Sequence, residues 1–518
     1  MRLSKLLFDL ECRQITPALD GTELRLRAPS GALTPLDLSV VRSRRDEIIS
    51  YLHARASRPG LHMVRRANVP IPSLAQEAQW FRCFGRTSGR QQALSDHAIL
   101  NAIGGRMVII CVCGHSSSRV ERAITRLIAL HDTLRSRFSE HGGEVVLRFC
   151  EPCSVRCIRE RLPRSMASSF ADENTRDALK KYLLGRVSDR RADIDSLFVP
   201  FMFEVSQSEI FVFFVISKLI CDAMSRNLIE SEFWRLLSLD DPPESSFETG
   251  LQINDFALWE RQWFKGSAQE TLLNYWSNWL SAQPEVCNPR NDAKLVSRTE
   301  QICNQATFSL HDNVTGKVQQ LCGALSSTPF QIYLAVFGIS IAKWLRVERF
   351  PVRCGGHFRE TKALSHVIGP LACVDRIDFR MSSDCAFASV VRETAVELAH
   401  VRNLRIPNVL DFSRFGATGD LENKNFLHAI PIKMTYLPRE MYPLVGRRCV
   451  PARQAFPWPP VIHTSRERAA VAAAVDLKVI QHGETVVFRF KFNGGIFDER
   501  DVAQFMSMFL SVLRESIL

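Results

Sequence analysis

The chain has 518 residues, 46% hydrophobic and 23% charged, and its 66 Lys and Arg against 55 Asp and Glu give a formal net charge of +11. Such a length and composition predict a globular protein of two to four core-sized units. No stretch reaches the roughly 18 to 20 apolar residues of a membrane span, and basic residues interleave with acids without forming a stripe beside aromatic platforms, which argues against membrane and nucleic acid as partners. The start, MRLSKLLFDLECRQ, places acidic residues before an export signal's apolar stretch could form. The 15 cysteines are an odd number in a chain too long to need stapling, so reduced thiols and a cytoplasmic location are expected. The excess of arginine favours acidic protein partners.

Residues 1–56 read as a small unit of their own. LSKLLFDLECRQI has helical spacing, ELRLRAP (23–29) alternates in the strand period, and LDLSVVRSRRDEIISYLHARA returns to helical spacing. Thr34 can cap that last segment, with Pro35 at the first helical position and Asp37 in the first turn. A unit this small cannot cover both faces and both sides of its strand, so an edge is expected to stay open. Residues 57–68 lose periodicity and form a linker.

Helices and strands then alternate without an internal repeat. Helices are expected at 73–82, 117–132 and 223–237, with strands near 106–113, 144–150 and 200–216. The polar, Pro-containing stretch SLDDPPESSFETG (238–250) separates the two halves, giving lobes at 69–245 and 246–518. The second half reads as helices at 254–281, 312–322, 328–345, 384–402 and 498–515, with strands near 304–310, 427–436, 475–481 and 485–492. Cys150, Cys153 and Cys157 have ligand-like spacing, but no second CxxC or HxxxH supplies the remaining ligands, so no metal is expected there.

Five segments carry a resemblance. SLAQEAQWF (73–81), LHDTLRSRF (130–138), NDFALWERQWF (254–264), VIGPLACVDRIDFR (367–380) and KFNGGIFD (491–498) are similar, in order, to five motifs of nonribosomal peptide synthetase condensation domains. The resemblance covers about residue 69 to the C-terminus. It implies a mixed α/β fold of two chloramphenicol-acetyltransferase-like lobes in a V-shaped pseudo-dimer, and transfer of an acyl group to an amine or hydroxyl. It also implies that no cofactor binds directly, the substrates riding on phosphopantetheine arms of separate carrier proteins. The front unit, in ELRLRAPSGALTP and RSRRDEIISYL, resembles the small TubC-like docking domains, in which a β-hairpin captures the C-terminal tail of an upstream synthase or synthetase. Strand addition at an open edge suits that mode. Leu24 and Leu26 would pack inward while Arg25 and Arg27 face an acidic tail. A solvated edge guarded by arginines is the plainer alternative.

The resemblance also places FVISKLICDAMS (214–225), where the family carries H-H-x-x-x-D-G in a strand-to-helix turn. Here Ser217 and Lys218 stand for the two histidines, Ala223 for the glycine, and Asp222 alone is kept. In the family the second histidine takes a proton or positions the nucleophile. A lysine with an ordinary pKa of about 10.4 cannot replace it as a base without burial that lowers that value by several units. As an ammonium it could stabilise an oxyanion. Asp222 is expected to be structural, paired with Arg135 or Arg137, and Ala223 to strain a turn that prefers glycine. Ala78, Gln79 and Cys373 are further departures from the motifs. Three functions stay open: acyl transfer by positioning, a catalytically silent scaffold or recruitment platform, and transfer from a soluble coenzyme A thioester. No carrier, adenylation or thioesterase signature is visible, so action in trans is expected.

Overall fold

A computed structural model describes residues 3–56, 70–84, 105–161, 182, 185–186, 196–206, 209–239, 250–282, 301–310, 313–359, 361–381, 385–406, 432–437, 462–469, 473–482 and 485–517. The expected linker 57–68 and most of the polar stretch at 240–249 lie outside them.

The front unit comprises α1 (Leu3–Cys12), a hairpin of β1 (Thr16–Asp20) and β2 (Glu23–Arg27), α2 (Pro35–Ser43) and α3 (Arg45–Ala56). Gly21, at φ +62°, makes the reversal between the two strands. Thr34 caps α2 as its sequence predicts: its hydroxyl accepts from Asp37 N at 3.2 Å, and its own N–H donates to the Asp37 carboxylate at 2.9 Å. The hairpin is a two-stranded sheet, and among the described residues no strand pairs with the outer side of β2. Leu24 and Leu26 pack inward while Arg25 and Arg27 are exposed. The unit does not stand alone. Leu6, Leu10, Ile48 and Tyr51 belong to the same apolar cluster as the second lobe. Tyr51 stacks on His400 with ring centroids 4.1 Å apart, and Ser4 donates to Glu397.

The first lobe contains α4 (Leu74–Phe84), β3 (Gly105–Cys113), α5 (Ser117–Leu130), a hairpin of β4 (Ser136–His141) and β5 (Glu144–Phe149), β6 (Ile158–Arg161), β7 (Phe198–Ser206), β8 (Glu209–Ser217) and α6 (Ala223–Ser238). Its sheet runs β3-β8-β7-β6. The single strand expected over 200–216 is a hairpin, β7 against β8, with polar Ser206 and Glu209 flanking the reversal. Cys153 lies in a 3-10 turn, Pro152–Ser154.

The second lobe contains α7 (Ile253–Trp263), α8 (Gly266–Ser281), β9 (Gln301–Leu310), α9 (Asn313–Leu325), α10 (Pro329–Leu345), β10 (Arg349–His357), β11 (Ala372–Arg380), α11 (Phe387–Arg402), β12 (Ile432–Leu437), β13 (His463–Ala469), β14 (Val475–His482), β15 (Thr485–Asn493) and α12 (Glu499–Ile517). The helix expected over 254–281 is broken after Trp263, and Gly266 at φ +55° starts the next one. A seven-stranded sheet, β11-β10-β12-β14-β15-β9-β13, supplies the core. One face, with Val475, Leu477, Val479, Phe488, Phe490 and Phe308, packs on α10 and α12, Phe490 meeting Phe509 at 4.9 Å between centroids. No single described helix is long and apolar enough to cross a membrane. The pair α9 and α10 passes by length and composition but bends by 97°, and α10 is buried from Ile332 to Ile341.

Candidate functional site

The turn from β8 into α6 is fixed from three sides. Strand β8 lies inside its sheet, and at its end Ser217 N donates to Leu197 O at 2.8 Å. Ile220 N donates back to Ser217 O at 3.1 Å, which closes the turn. Two more carbonyls find donors from distant motifs: Gln76 Nε2 reaches Leu219 O at 3.2 Å, and Thr133 Oγ1 reaches Ile220 O at 3.3 Å. Buried carbonyls need such partners. The segments SLAQ and LHDT therefore hold the turn, a role that sequence spacing could not reveal. Leu219, Ile220 and Cys221 are buried in the first lobe's core.

The two residues at the histidine positions diverge. Ser217 is fully buried, and its hydroxyl accepts from Leu219 N at 3.2 Å. Its hydroxyl thus forms part of the turn's own hydrogen bonding. Lys218 is exposed, the only side chain from 217 to 222 that is.

Asp222 caps α6, its carboxylate accepting from Ser225 N at 2.8 Å. Its ionic partner is neither Arg135 nor Arg137 but Arg359, from the second lobe: Nη1 donates to Oδ2 at 2.6 Å and Nη2 to Oδ1 at 3.1 Å. Arg359 also donates to the carbonyls of Val367 and Gly369 at 3.1 and 2.9 Å. Ser225 Oγ lies 2.8 Å from Asp222 Oδ1 and from Gly369 O, donating to one of them, and accepts from Gly369 N at 3.0 Å. Both members of the pair are buried. Burial by itself would raise the Asp222 pKa, but the Arg359 charge and these hydrogen bonds hold it below the usual carboxylate value. Gly369 is required by space, since a Cβ there would lie 2.5 Å from Ile253 Cδ1. This cluster latches the two lobes together. Arg135 stays within its own lobe, donating to Asp132 and, at 2.7 Å, to Cys150 O. Arg137 sits in β4 opposite Arg148.

One other expectation changes: Ala223 begins α6 and does not have positive φ, so its methyl causes no strain. Cys373 is buried in the second lobe's core. On the second lobe's side, β10 ends at His357, two residues before Arg359. Burial, then the Arg405 and Arg359 charges, lower its imidazole to about 4, and its buried Nδ1 has no hydrogen-bond partner among the described residues. The site thus contains an exposed lysine, a neutral imidazole and a locked ion pair. Among the described residues no group of three or more His, Cys, Asp or Glu could hold a metal ion.

Known proteins resemble this chain in sequence and fold. Residues 108–518 match the family model for the Condensation domain, and residues 3–54 match that of the TubC N-terminal docking domain. Tyrocidine synthase 3 of Brevibacillus parabrevis is 25% identical over 231 residues, 45% of this chain but 3% of that protein's length. Gramicidin S synthase 2 of Aneurinibacillus migulanus is 23% identical over 234 residues, again 45% of this chain and 5% of its own length. The chain thus spans only a small part of these relatives. Among solved structures, one described as the molecular basis for condensation domain-mediated chain release from the enacyloxin polyketide synthase has 25% identity and a TM-score of 0.80, covering 100% of this chain and 96% of its own. The EpoB cyclization-docking bidomain from Sorangium cellulosum shares the fold at 18% identity and a TM-score of 0.58, covering 100% of this chain and 99% of its own.

Proposed function

This chain belongs to the condensation-domain family, and from that premise we propose that it transfers a carrier-bound acyl chain to an amine or hydroxyl by positioning, without a proton acceptor in the β8–α6 turn. One observation carries the reading: the latch of Asp222, Arg359, Ser225 and Gly369 is complete around a turn whose histidine positions hold a buried serine and an exposed lysine. The geometry is retained where the base is missing. General-base assistance contributes about 10² to 10⁴ in rate, whereas near-attack positioning reaches effective molarities of about 10⁵ to 10⁸ M, so a site without its histidine keeps most of its catalytic power. Likeness along the whole chain to a condensation domain that releases a polyketide chain supports release as the outcome. The docking unit supports an upstream protein as the source, its acidic C-terminal tail adding to the open edge of β2 between Arg25 and Arg27.

A second reading, a silent scaffold that recruits partners, is favoured by the burial of Ser217 and the exposure of Lys218 at the two histidine positions. The test is to supply donor and acceptor on carrier proteins and follow product by intact-protein mass spectrometry for wild type, Lys218→Ala and Lys218→His, with a free coenzyme A thioester as a parallel donor. Wild-type turnover from the carrier supports transfer. Product from Lys218→His alone would leave the scaffold reading.

A further inference from the structure

The large sheet has a second face, opposite the helices. Residues that share a face alternate along each strand and stay level across the register. Pairing of Arg353 with Lys433, of Lys433 with Asp476 and of Asp476 with Lys491 places one row on that face. A second row holds Gly355, Thr435, Lys478, Arg489 and Thr307. The strand-mates of these residues, Cys354, Met434, Leu477, Phe490 and Ala306, form the buried core. The outward face therefore carries Lys433, Lys478, Arg489 and Lys491 together, and Asp476 is the acid beside them.

Asp476 is already bound by Lys433 at 2.7 Å. Lys478 and Arg489 stand directly opposite each other on antiparallel strands, and among the described residues neither forms an ion pair. Like charges so placed destabilise a sheet. Lys478 is half-buried, and burial is the largest cause of its lowered pKa; the Asp476 charge opposes that shift, while Lys433, Arg489 and Lys491 add to it. A fold retains such a conflict where function requires it. The row is also placed to serve the site. His357 extends the same face of β10, so by strand spacing Lys478 lies about 12 Å from it, two strands across and two residues along. Exposed Gly355 adds no side chain on that path and Thr435 stands between it and Lys478, while Thr307 lies beyond Arg489 at the other end of the row.

We propose that this face, centred on Lys478 and Arg489 with Lys433 and Lys491 beside them, binds an oxyanion: the phosphate or carboxylate of a ligand. A surface with a clear excess of one sign of charge raises the local concentration of ligands of the other, and a guanidinium beside an ammonium provides charge-assisted donors to a multivalent anion. The inference concerns binding and stands whether or not acyl transfer occurs. The phosphate of a pantetheine arm and the carboxylate of a small acceptor share the chemistry required.

The probe is inorganic pyrophosphate, titrated by calorimetry into the full chain at low and high salt. Wild type should bind it with affinity that falls as salt rises. Lys478→Gln with Arg489→Gln should weaken binding by about tenfold or more. Arg489→Glu should abolish it while raising the unliganded Tm, because the new carboxylate pairs with Lys478. Competition identifies the source: displacement by phosphopantetheine but not by pantetheine indicates the arm's phosphate, and displacement by succinate indicates an acceptor carboxylate. No heat with wild type at about 10 mM pyrophosphate, or equal affinity in the folded Arg489→Glu variant, overturns the proposal.

Discussion

Replacing Arg359 by Met removes one half of the latch while filling most of its volume. Asp222 would lose both guanidinium contacts, at 2.6 and 3.1 Å, and the carbonyls of Val367 and Gly369 would lose a donor. Because Asp222 and Arg359 are both buried, the orphaned carboxylate cannot recover its hydration, and the expected loss is about 3–5 kcal/mol. Asp222→Asn is milder, since its side-chain oxygen still caps α6 through Ser225 N, and about 1–3 kcal/mol is expected. In the double variant no uncompensated charge remains, so its cost should fall short of the two single costs added together by more than about 0.5 kcal/mol. Hydrogen exchange by mass spectrometry is the suitable assay, because it reports opening of the peptides around Ser225 and Gly369 even where global unfolding is irreversible. Protection there should drop by about two orders of magnitude or more in Arg359→Met. Less than a tenfold change would refute the claim that this pair holds the lobes. The pH dependence has a definite sign: the folded pKa of Asp222 is lowered, so the pair's stabilisation is complete above the unfolded value of about 3.9 and is lost as pH falls through the lower folded value.

Three histidines make a second acid-sensitive contribution. Burial lowers His131 and His357 to about 4 and His400 to about 3, from 6.5. Below pH 6.5 the unfolded chain binds these protons first, so stability should decline from there toward pH 4, by up to about 1.4 kcal/mol per unit for each histidine. Urea unfolding of His400→Phe at pH 5 and 7 should show a flatter decline than wild type, and an identical slope would count against buried neutral His400. At the docking unit, Arg25→Glu with Arg27→Glu should abolish capture of an acidic upstream tail, and unchanged affinity by calorimetry would refute the edge-strand reading. The Arg25 pair with Asp20 is exposed and weak enough to exchange for that tail.

The helices and apolar strands are legible because burial imposes periodicity on the sequence. Strand β14, with Val475, Leu477 and Val479 turned inward and Asp476 and Lys478 outward, shows that pattern plainly. Strand β10 does not read as a strand because RFPVRCGGH contains a proline and two glycines, residues that ordinarily punctuate. Strand β13, HTSRERA, is equally hard to read because it is a polar edge strand. The docking unit reads as independent, since nothing local reveals that Tyr51 will find His400 some 350 positions away. Asp222 is recognisable as a retained carboxylate, but its partner lies 137 residues along the chain. An ion pair between lobes leaves no spacing to read, so the arginines of LRSRF, a motif of the same lobe, are the natural, and incorrect, candidates.

The central claim is that the turn positions substrates and takes no part in moving a proton. The most direct measurement is the single-turnover rate of acyl transfer for Lys218→Ala against wild type, with both carriers saturating. The positioning account predicts rates within about tenfold of each other, whereas a loss of about 10² to 10⁴ would show that Lys218 supplies acid-base or oxyanion chemistry and would contradict it.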